Sequence, residues 1–173
     1  MSITINNPLA MTLYPYRPSD TFIAHSYPAF IYGGPQVKLD PSAFVADPEL
    51  IKALEKHSTQ ISCDTDHVLF NQGDHPKGLY ILDQGETTIT MASPTGEQLM
   101  SIQAHAGSLL GLPGLIGNEP YTLTAIARNG ARLSFVPRDE FTSLMRADPL
   151  LALKMLQVIA AELRSARQAL ANL

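Results

Sequence analysis

The chain is poor in charge and almost devoid of cysteine. Of its 173 residues only 16% are charged, one is a cysteine and none is a tryptophan. A single cysteine, Cys63, forms no internal disulfide and supplies no Cys-rich zinc or iron–sulfur site. We therefore expect a protein of a reducing compartment, the cytoplasm, without a centre of either kind.

Basic residues and long apolar runs are also scarce. The 12 Lys and Arg are outnumbered by 16 Asp and Glu, which gives a formal net charge of −4. Because such a chain as a whole repels a phosphate backbone, we expect no direct DNA binding. No apolar run reaches the roughly 18 residues that span a bilayer, and residues 1–7 lack the positive start of a secretory signal. We expect no membrane partner.

Catalytic and metal-binding signatures are missing as well. The five histidines include no His-x-His pair, which the metal site of a cupin-like enzyme would need. A metal site built from the scattered His67, His75 and His105, or haem bound by one histidine, is the alternative. Strand alternation places Cys63 and His67 on one face but Asp66 on the other, which favours a structural cysteine over a nucleophile. We predict a non-enzyme without catalytic residues, metal or cofactor.

The first part of the chain is rich in proline and aromatic residues. Seven of the 13 prolines lie between Pro8 and Pro48, a density that prevents regular helices and central strands. The aromatic side chains of this part are Tyr14, Tyr16, Phe22, Tyr27, Phe30 and Tyr32. Because disordered tails are usually polar, we predict an irregular arm over residues 1–46 that packs along part of its length. The alternative is a partly ordered terminus whose aromatics only cover the core.

Short alternating apolar segments follow from Ile61 onwards. Glycines recur between them every 11 or 12 residues, at Gly73, Gly85, Gly96 and Gly107. This spacing is typical of the short antiparallel strands of a sandwich or roll, and Asp47 before Pro48 marks the start of a short helix. We predict a mainly β fold with flanking helices, an eight-stranded antiparallel jelly roll over residues 47–148.

The last part, residues 149–173, is predicted to be one long helix after Asp148. Apolar residues recur at alternating spacings of three and four, at Leu156, Ile159, Leu163, Ala166 and Leu170. This set, called the heptad stripe below, has the spacing of a coiled coil that is buried against a partner helix. We predict a parallel homodimer with the heptad stripe at its interface and with Glu162 paired to Arg167 of the other chain. The alternative is that the stripe packs on its own roll.

Three motifs in this order resemble the cyclic nucleotide-binding domain family. Residues 68–74 combine a hydrophobic pair with x-Gln-Gly-Asp, and residues 78–86 contain Leu-Tyr-Ile-Leu before Gly85. Residues 107–117, called the cassette below, are similar to the phosphate-binding cassette of that family. The long helix resembles the dimer helix of the Crp/Fnr regulators. The resemblance implies a jelly roll with a regulatory or sensor role, cyclic nucleotide being the ligand in the family.

The resemblance also implies where a ligand would bind. The candidate residues are Leu110, Gly111, Leu112, Gly114, Leu115, Tyr121 and Thr122. In the family a Glu after the cassette glycine holds the ribose and a later Arg holds the phosphate, whereas this chain has Leu112 and Tyr121 there. A phosphate buried without a cation bears a large desolvation cost. We expect that cAMP and cGMP do not bind in the usual way, and that Leu112→Glu with Tyr121→Arg would restore the contacts.

Crp/Fnr regulators continue beyond the dimer helix into a winged helix-turn-helix, whereas this sequence stops at Leu173. We therefore expect the output to pass through a protein partner and the input to be a more apolar small-molecule effector, or none. Two alternatives stay open at this point. One is a genuine cAMP or cGMP receptor with altered contacts, and the other is a cupin-like metal enzyme.

Overall fold

The structure, a computed structural model, describes residues 37–172. Residues 1–36, which contain most of the predicted arm and its six aromatic residues, lie outside the described residues. The elements in chain order are a 3-10 helix Pro41–Phe44, α1 Pro48–Glu55, β1 Thr59–Ser62, β2 His67–Phe70, β3 Gly78–Gln84, β4 Thr87–Ala92, β5 Gln98–Ala104, β6 Leu109–Leu110, α2 Leu112–Gly117, β7 Thr124–Ala127, β8 Arg132–Pro137, α3 Arg138–Ala147 and α4 Pro149–Ala171.

The eight strands form two antiparallel sheets of four. The strand order is β1-β8-β3-β6 in one sheet and β2-β7-β4-β5 in the other. Strand neighbours are mostly distant in sequence: Tyr80 of β3 lies opposite Phe135 of β8, and Ile89 of β4 opposite Ala125 of β7. Such long-range antiparallel pairing is that of a jelly roll. The predicted mainly β fold with flanking helices is confirmed.

Two groups of buried apolar side chains hold the elements together. The first group draws on both sheets, with Leu82, Ile89, Met100, Ala125 and Leu133 among its members. The second group joins the four helices to β3 and β8, and includes Leu50, Leu79, Leu112, Val136, Phe141 and Met155. Helix α2, which contains part of the cassette, is therefore packed on the helical side of the roll.

Helix α1 begins as the sequence predicts. The Asp47 carboxylate accepts hydrogen bonds from the N–H groups of Glu49 and Leu50 at 2.9 and 3.3 Å, which is the usual N-cap arrangement. Lys154 of α4 donates hydrogen bonds to the carboxylates of Asp47 and Glu49 at 2.8 and 2.6 Å. The bond from Lys154 to Asp47 lowers the pKa of the Asp47 carboxyl group. An ion pair thus joins the first and last helices.

Helix α4 turns one stripe of side chains towards the rest of the chain. Its buried residues are Met155, Val158, Ser165 and Ala169. The Ser165 hydroxyl accepts a hydrogen bond of 2.7 Å from the Asp40 N–H group, which ties α4 to the segment before the 3-10 helix. No helix within residues 37–172 is long and apolar enough to cross a membrane.

The heptad stripe lies mainly on the open side of α4. Leu156, Leu163 and Leu170 are 56%, 49% and 61% exposed, while Ile159 and Ala166 are half-buried. The alternative that the whole stripe packs on its own roll therefore does not describe the three leucines. Within residues 37–172 these three leucines stay largely exposed.

Cys63 is buried in the first apolar group, at 5% exposure. Its backbone pairs with the Asn129–Gly130 turn region, since its N–H donates to the carbonyl of Ala131 and its carbonyl accepts from the Gly130 N–H. Burial raises the pKa of its thiol. The Asp66 carboxylate, considered above together with Cys63 and His67, is instead paired with Arg128 at 2.6 Å. Reactive thiols are accessible and have a lowered pKa, so this is the environment of a structural cysteine.

Candidate functional site

The cassette makes a sharp turn between strand β6 and helix α2. Leu110 of β6 lies opposite Tyr80 of β3, and Gly111 follows as the N-cap of α2 with φ at 87°. Few residues other than glycine adopt this left-handed conformation without strain. The turn decides which of the next side chains face the core and which face the space beside the cassette.

Leu112 and Leu115 face the core. Leu112 is 0% exposed, and both side chains belong to the second apolar group with Leu50 and Leu79. The family resemblance implies that the ribose-binding position is Leu112. Because a glutamate there would point among buried apolar side chains rather than at a ligand, the expectation that Leu112→Glu restores a ribose contact does not fit this structure.

Tyr121 packs directly against the cassette backbone. Its ring stacks on Phe70 with the two centroids 3.9 Å apart, and only 6% of the residue is exposed. A β-carbon on Gly111 would lie 2.8 Å from the Tyr121 ring, and one on Gly114 would lie 3.1 Å from it. The two glycines therefore allow the ring to approach the cassette as closely as it does.

Hydrogen bonds hold Tyr121 in this position. Its hydroxyl donates to the carbonyl of Gly78 at 3.2 Å. Its backbone N–H donates to the Asp74 carbonyl at 2.9 Å, and its carbonyl accepts from the Gly73 N–H at 2.7 Å. Burial raises the pKa of Tyr121 to about 12. The side chain is thus neutral, and its hydroxyl group already serves as a hydrogen-bond donor to the Gly78 carbonyl.

The cavity beside the cassette is small, and no basic side chain of the described residues lines it. Its volume is about 30 Å³, whereas pockets for small molecules usually have roughly 300–1,000 Å³. Five predicted site residues line it: Leu110, Gly111, Gly114, Tyr121 and Thr122. Its other lining residues are Phe44, Phe70, Ile89, Pro113, Leu123 and Glu162. None of these described side chains is basic, and Glu162 is the acidic one among them.

A larger apolar groove adjoins this cavity and runs along α4. Its volume is about 480 Å³. The roll contributes Met91, Met100 and Leu123, and α4 contributes Ile159 and Leu163 among others. Phe44, Pro113, Thr122, Leu123 and Glu162 line both spaces. We call the groove and the adjoining cavity together the α4 groove.

Glu162 is the site residue that the sequence did not reveal. Its Oε1 atom is buried and has no hydrogen-bond partner within the described part of the chain. Burial raises the pKa of this carboxyl group to about 8. The prediction that Glu162 is a flanking charge, paired with Arg167 of a second chain, is wrong for this conformation, because the carboxyl group points into the α4 groove.

A second stripe on α4 contains the signal for this position. Met155, Val158, Glu162, Ser165 and Ala169 also follow alternating spacings of three and four, one residue out of step with the heptad stripe. An acidic residue within a stripe that faces the roll is unusual, since such positions are normally apolar. Recognising both stripes would have pointed to Glu162.

The remaining sequence candidates are not brought together. Within residues 37–172 no group of three His, Cys, Asp or Glu side chains is placed to hold a metal ion. His67, His75 and His105 therefore form no such group. His57 contacts the Glu140 carboxylate at 3.0 Å on the surface.

Residues 60–148, just over half of the chain, match the model of a family described as cyclic nucleotide-binding domain. The chain is also similar to the CRP-like cAMP-activated global transcriptional regulator of Mycobacterium tuberculosis, with 27% identity over 128 residues. That match covers 73% of this chain and 57% of the regulator. The chain thus spans less than two thirds of the length of this relative.

Solved structures of similar fold include the catabolite activator protein of Thermus thermophilus. It has a TM-score of 0.64 and 22% identity, covering 76% of this chain and 62% of that one. The c-di-GMP responsive global regulator CLP of Xanthomonas campestris has a TM-score of 0.61 and 19% identity, with 73% and 62% covered. At these identities the likeness establishes the fold alone.

The orientation of Leu112 generates a first prediction. Leu112→Glu should lower the free energy of unfolding by about 3 kcal/mol or more, because an unpaired carboxylate would be buried among apolar side chains. Ile116→Glu is the matched control, since Ile116 lies on the same helix and is 43% exposed. Urea unfolding followed by circular dichroism measures both. Equal stability of the two variants would show that position 112 faces solvent or a ligand space.

The Glu162 carboxyl group generates a second prediction, on pH. Its pKa is about 8 in the folded chain against an ordinary 4.5, so unfolding between these two pH values releases a proton. In this window the folded state binds more protons than the unfolded state. The free energy of unfolding therefore falls as pH rises, by up to about 1.4 kcal/mol per pH unit. Glu162→Gln should lose that part of the slope in urea unfolding at pH 5 to 8.

Glu119→Gln is the control, because Glu119 is an exposed residue of the same acid type. It should retain the slope of the wild type. Parallel slopes for wild type and Glu162→Gln would contradict a buried carboxyl group at position 162.

Proposed function

The chain belongs to the family of cyclic nucleotide-binding domains found in CRP-like regulators, and we propose that it is a non-catalytic sensor module whose cassette does not hold a cyclic nucleotide in the usual way. The observation that carries this proposal is the Tyr121 ring, which lies against Gly111 and Gly114 and fills the space beside the cassette. Charge and shape both support it.

The charges of the site oppose a phosphate. An anion that entered the cavity would meet the Glu162 carboxyl group and no basic side chain among the described lining residues. The Tyr121 hydroxyl donates its hydrogen bond to the Gly78 carbonyl and cannot replace a bidentate guanidinium. A phosphate would therefore lose its hydration without gaining a counter-charge, which is unfavourable in a low-dielectric site.

The shape of the cavity directly beside the cassette opposes a nucleotide at that point as well. A cavity of about 30 Å³ holds little more than one water molecule. A nucleotide would have to displace the Tyr121 ring from Phe70 and break the hydrogen bond from the Tyr121 hydroxyl to the Gly78 carbonyl. Aromatic stacking and a buried hydrogen bond each contribute about 1 kcal/mol to keeping the ring in place.

The second candidate is a receptor for cAMP with altered contacts. It is favoured by the 27% identical relative, which is named as cAMP-activated. In that case Tyr121 would leave the cavity when the nucleotide binds. Under either candidate, the single cysteine and the net charge of −4 support a cytoplasmic regulator that acts through a protein partner rather than through DNA contact.

Calorimetry with cAMP and cGMP tests the proposed function. Wild type should give no binding at micromolar concentrations. Tyr121→Ala opens the cavity without adding charge and should bind only weakly, with a dissociation constant above the micromolar range. Tyr121→Arg supplies a cation and should bind at least tenfold more tightly than Tyr121→Ala, since a charge-assisted contact contributes roughly 1.5–3 kcal/mol. Thermal melts confirm that each variant is folded. Micromolar binding by wild type would overturn the proposal.

The proposed module is also a homodimer. Leu156, Leu163 and Leu170 stand exposed at heptad spacing on α4, and Leu153 beside them is 53% exposed. An apolar stripe of this length on a helix is stabilised by burial against a second helix. The half-buried Ile159 and Ala166 complete the same stripe.

Substitution within the heptad stripe tests the dimer. Leu163→Glu places a carboxylate from each chain into the interface and should give monomers, because like charges would be buried together. Gln157→Glu, at an exposed position outside the stripe, should remain dimeric with the same change in charge. Light scattering at micromolar concentrations measures the mass. A monomeric wild type would contradict the dimer.

A further inference from the structure

The α4 groove contains an acid without a partner. The Glu162 Oε1 atom is buried and meets no hydrogen-bond donor within the described residues. An isolated carboxylate in an apolar surrounding is unstable, and it either binds a proton or pairs with a positive group. No lysine, arginine or histidine lines the groove or the adjoining cavity in the described part. A positive group that pairs with the Glu162 carboxylate must therefore come from outside this set of residues.

The surroundings of Glu162 suit a cation with a hydrocarbon part. The rings of Phe44, Phe70 and Tyr121 line the smaller cavity and give it apolar walls. Met91 and Met100 line the larger space, and methionine side chains adapt to varied apolar shapes. The α4 groove therefore presents the single carboxyl group of Glu162 beside a largely apolar surface.

Other titratable groups do not compete with Glu162. Among the described lining residues from α4, the sheets and the cassette, Tyr121 is the other group that titrates. Its pKa of about 12 keeps it neutral at physiological pH. The charge of the α4 groove is therefore decided by Glu162.

We propose that the α4 groove binds a small apolar amine, whose ammonium group pairs with the Glu162 carboxylate and whose hydrocarbon part lies against Met91, Met100 and Leu123. This names the effector class of the sensor module, and it rests on the proposed function in treating the space beside the cassette as the effector site.

Proton balance gives this site a pH signature. At neutral pH the Glu162 carboxyl group, whose pKa is about 8, is mostly protonated in the empty groove. Binding of an ammonium ion forms the ion pair and releases that proton to the solvent. Amine affinity should therefore rise almost tenfold between pH 6 and pH 7 and level off above pH 8, because aliphatic amines keep their own proton up to about pH 10.

Three ligands of equal chain length separate charge from hydrophobicity. Hexylamine, hexanol and hexanoate are titrated into ¹⁵N-labelled full-length protein at pH 6, 7 and 8, and dissociation constants are taken from amide shifts. Wild type should bind hexylamine at least tenfold more tightly than hexanol at pH 8, and hexanoate most weakly. The affinity for hexylamine should rise with pH, while the affinity for hexanol should not rise.

Variants at two acidic positions identify the group responsible. Glu162→Gln should lose both the preference for the amine and its pH dependence while it still binds hexanol, which shows that the groove is intact. Glu119→Gln, with the same loss of charge at an exposed residue, should behave as wild type.

Several outcomes would overturn the inference. They are hexylamine binding no tighter than hexanol in wild type, an amine preference that survives in Glu162→Gln, or no shift with hexylamine at 10 mM. These results are independent of the calorimetry with cyclic nucleotides. If the protein binds neither hexylamine nor cAMP, the amine site alone is refuted. If it binds cAMP at micromolar concentrations, the proposed function is refuted.

Discussion

The contact between the Tyr121 ring and the backbone of Gly111 holds the candidate site in its present form. The contact requires the missing side chain of Gly111, because a β-carbon there would lie 2.8 Å from the ring. The same ring stacks on Phe70 and donates to Gly78, so one side chain joins the cassette to strands β2 and β3. The small volume of the cavity follows from this single placement.

Helix α4 contributes adjacent residues to the candidate site and to the proposed dimer surface. Glu162 belongs to the stripe that faces the roll, and Leu163 belongs to the heptad stripe. Ser165 and Lys154 fix the helix through Asp40, Asp47 and Glu49. Since Glu162 and Leu163 are neighbours on one helical turn, a displacement of that turn would move both side chains together. Two-state repositioning of a packed helix is a common way to transmit ligand binding.

Most of the fold could be predicted from local sequence, but the orientation of site residues could not. Alternating apolar segments and Asp47 at a helix start are local signals, and the structure follows them. Leu112 follows a Gly111 whose φ of 87° redirects the chain, and its inward direction depends on the packing of α1 and β3. Glu162 lies between two interleaved stripes, and only tertiary contacts decide which one faces the roll. Long-range packing, not local pattern, thus set these two positions.

Cys63 has a practical consequence for work on this molecule. It is the one cysteine in the sequence, it is buried in the core, and burial raises the pKa of its thiol. Thiol-directed reagents react with the accessible thiolate form, so the native chain is a slow substrate for them. A cysteine introduced at an exposed position of α4 outside the heptad stripe, such as Gln157, would react far ahead of Cys63. Spin labels or fluorophores can thus be attached at one chosen site without first removing a native thiol.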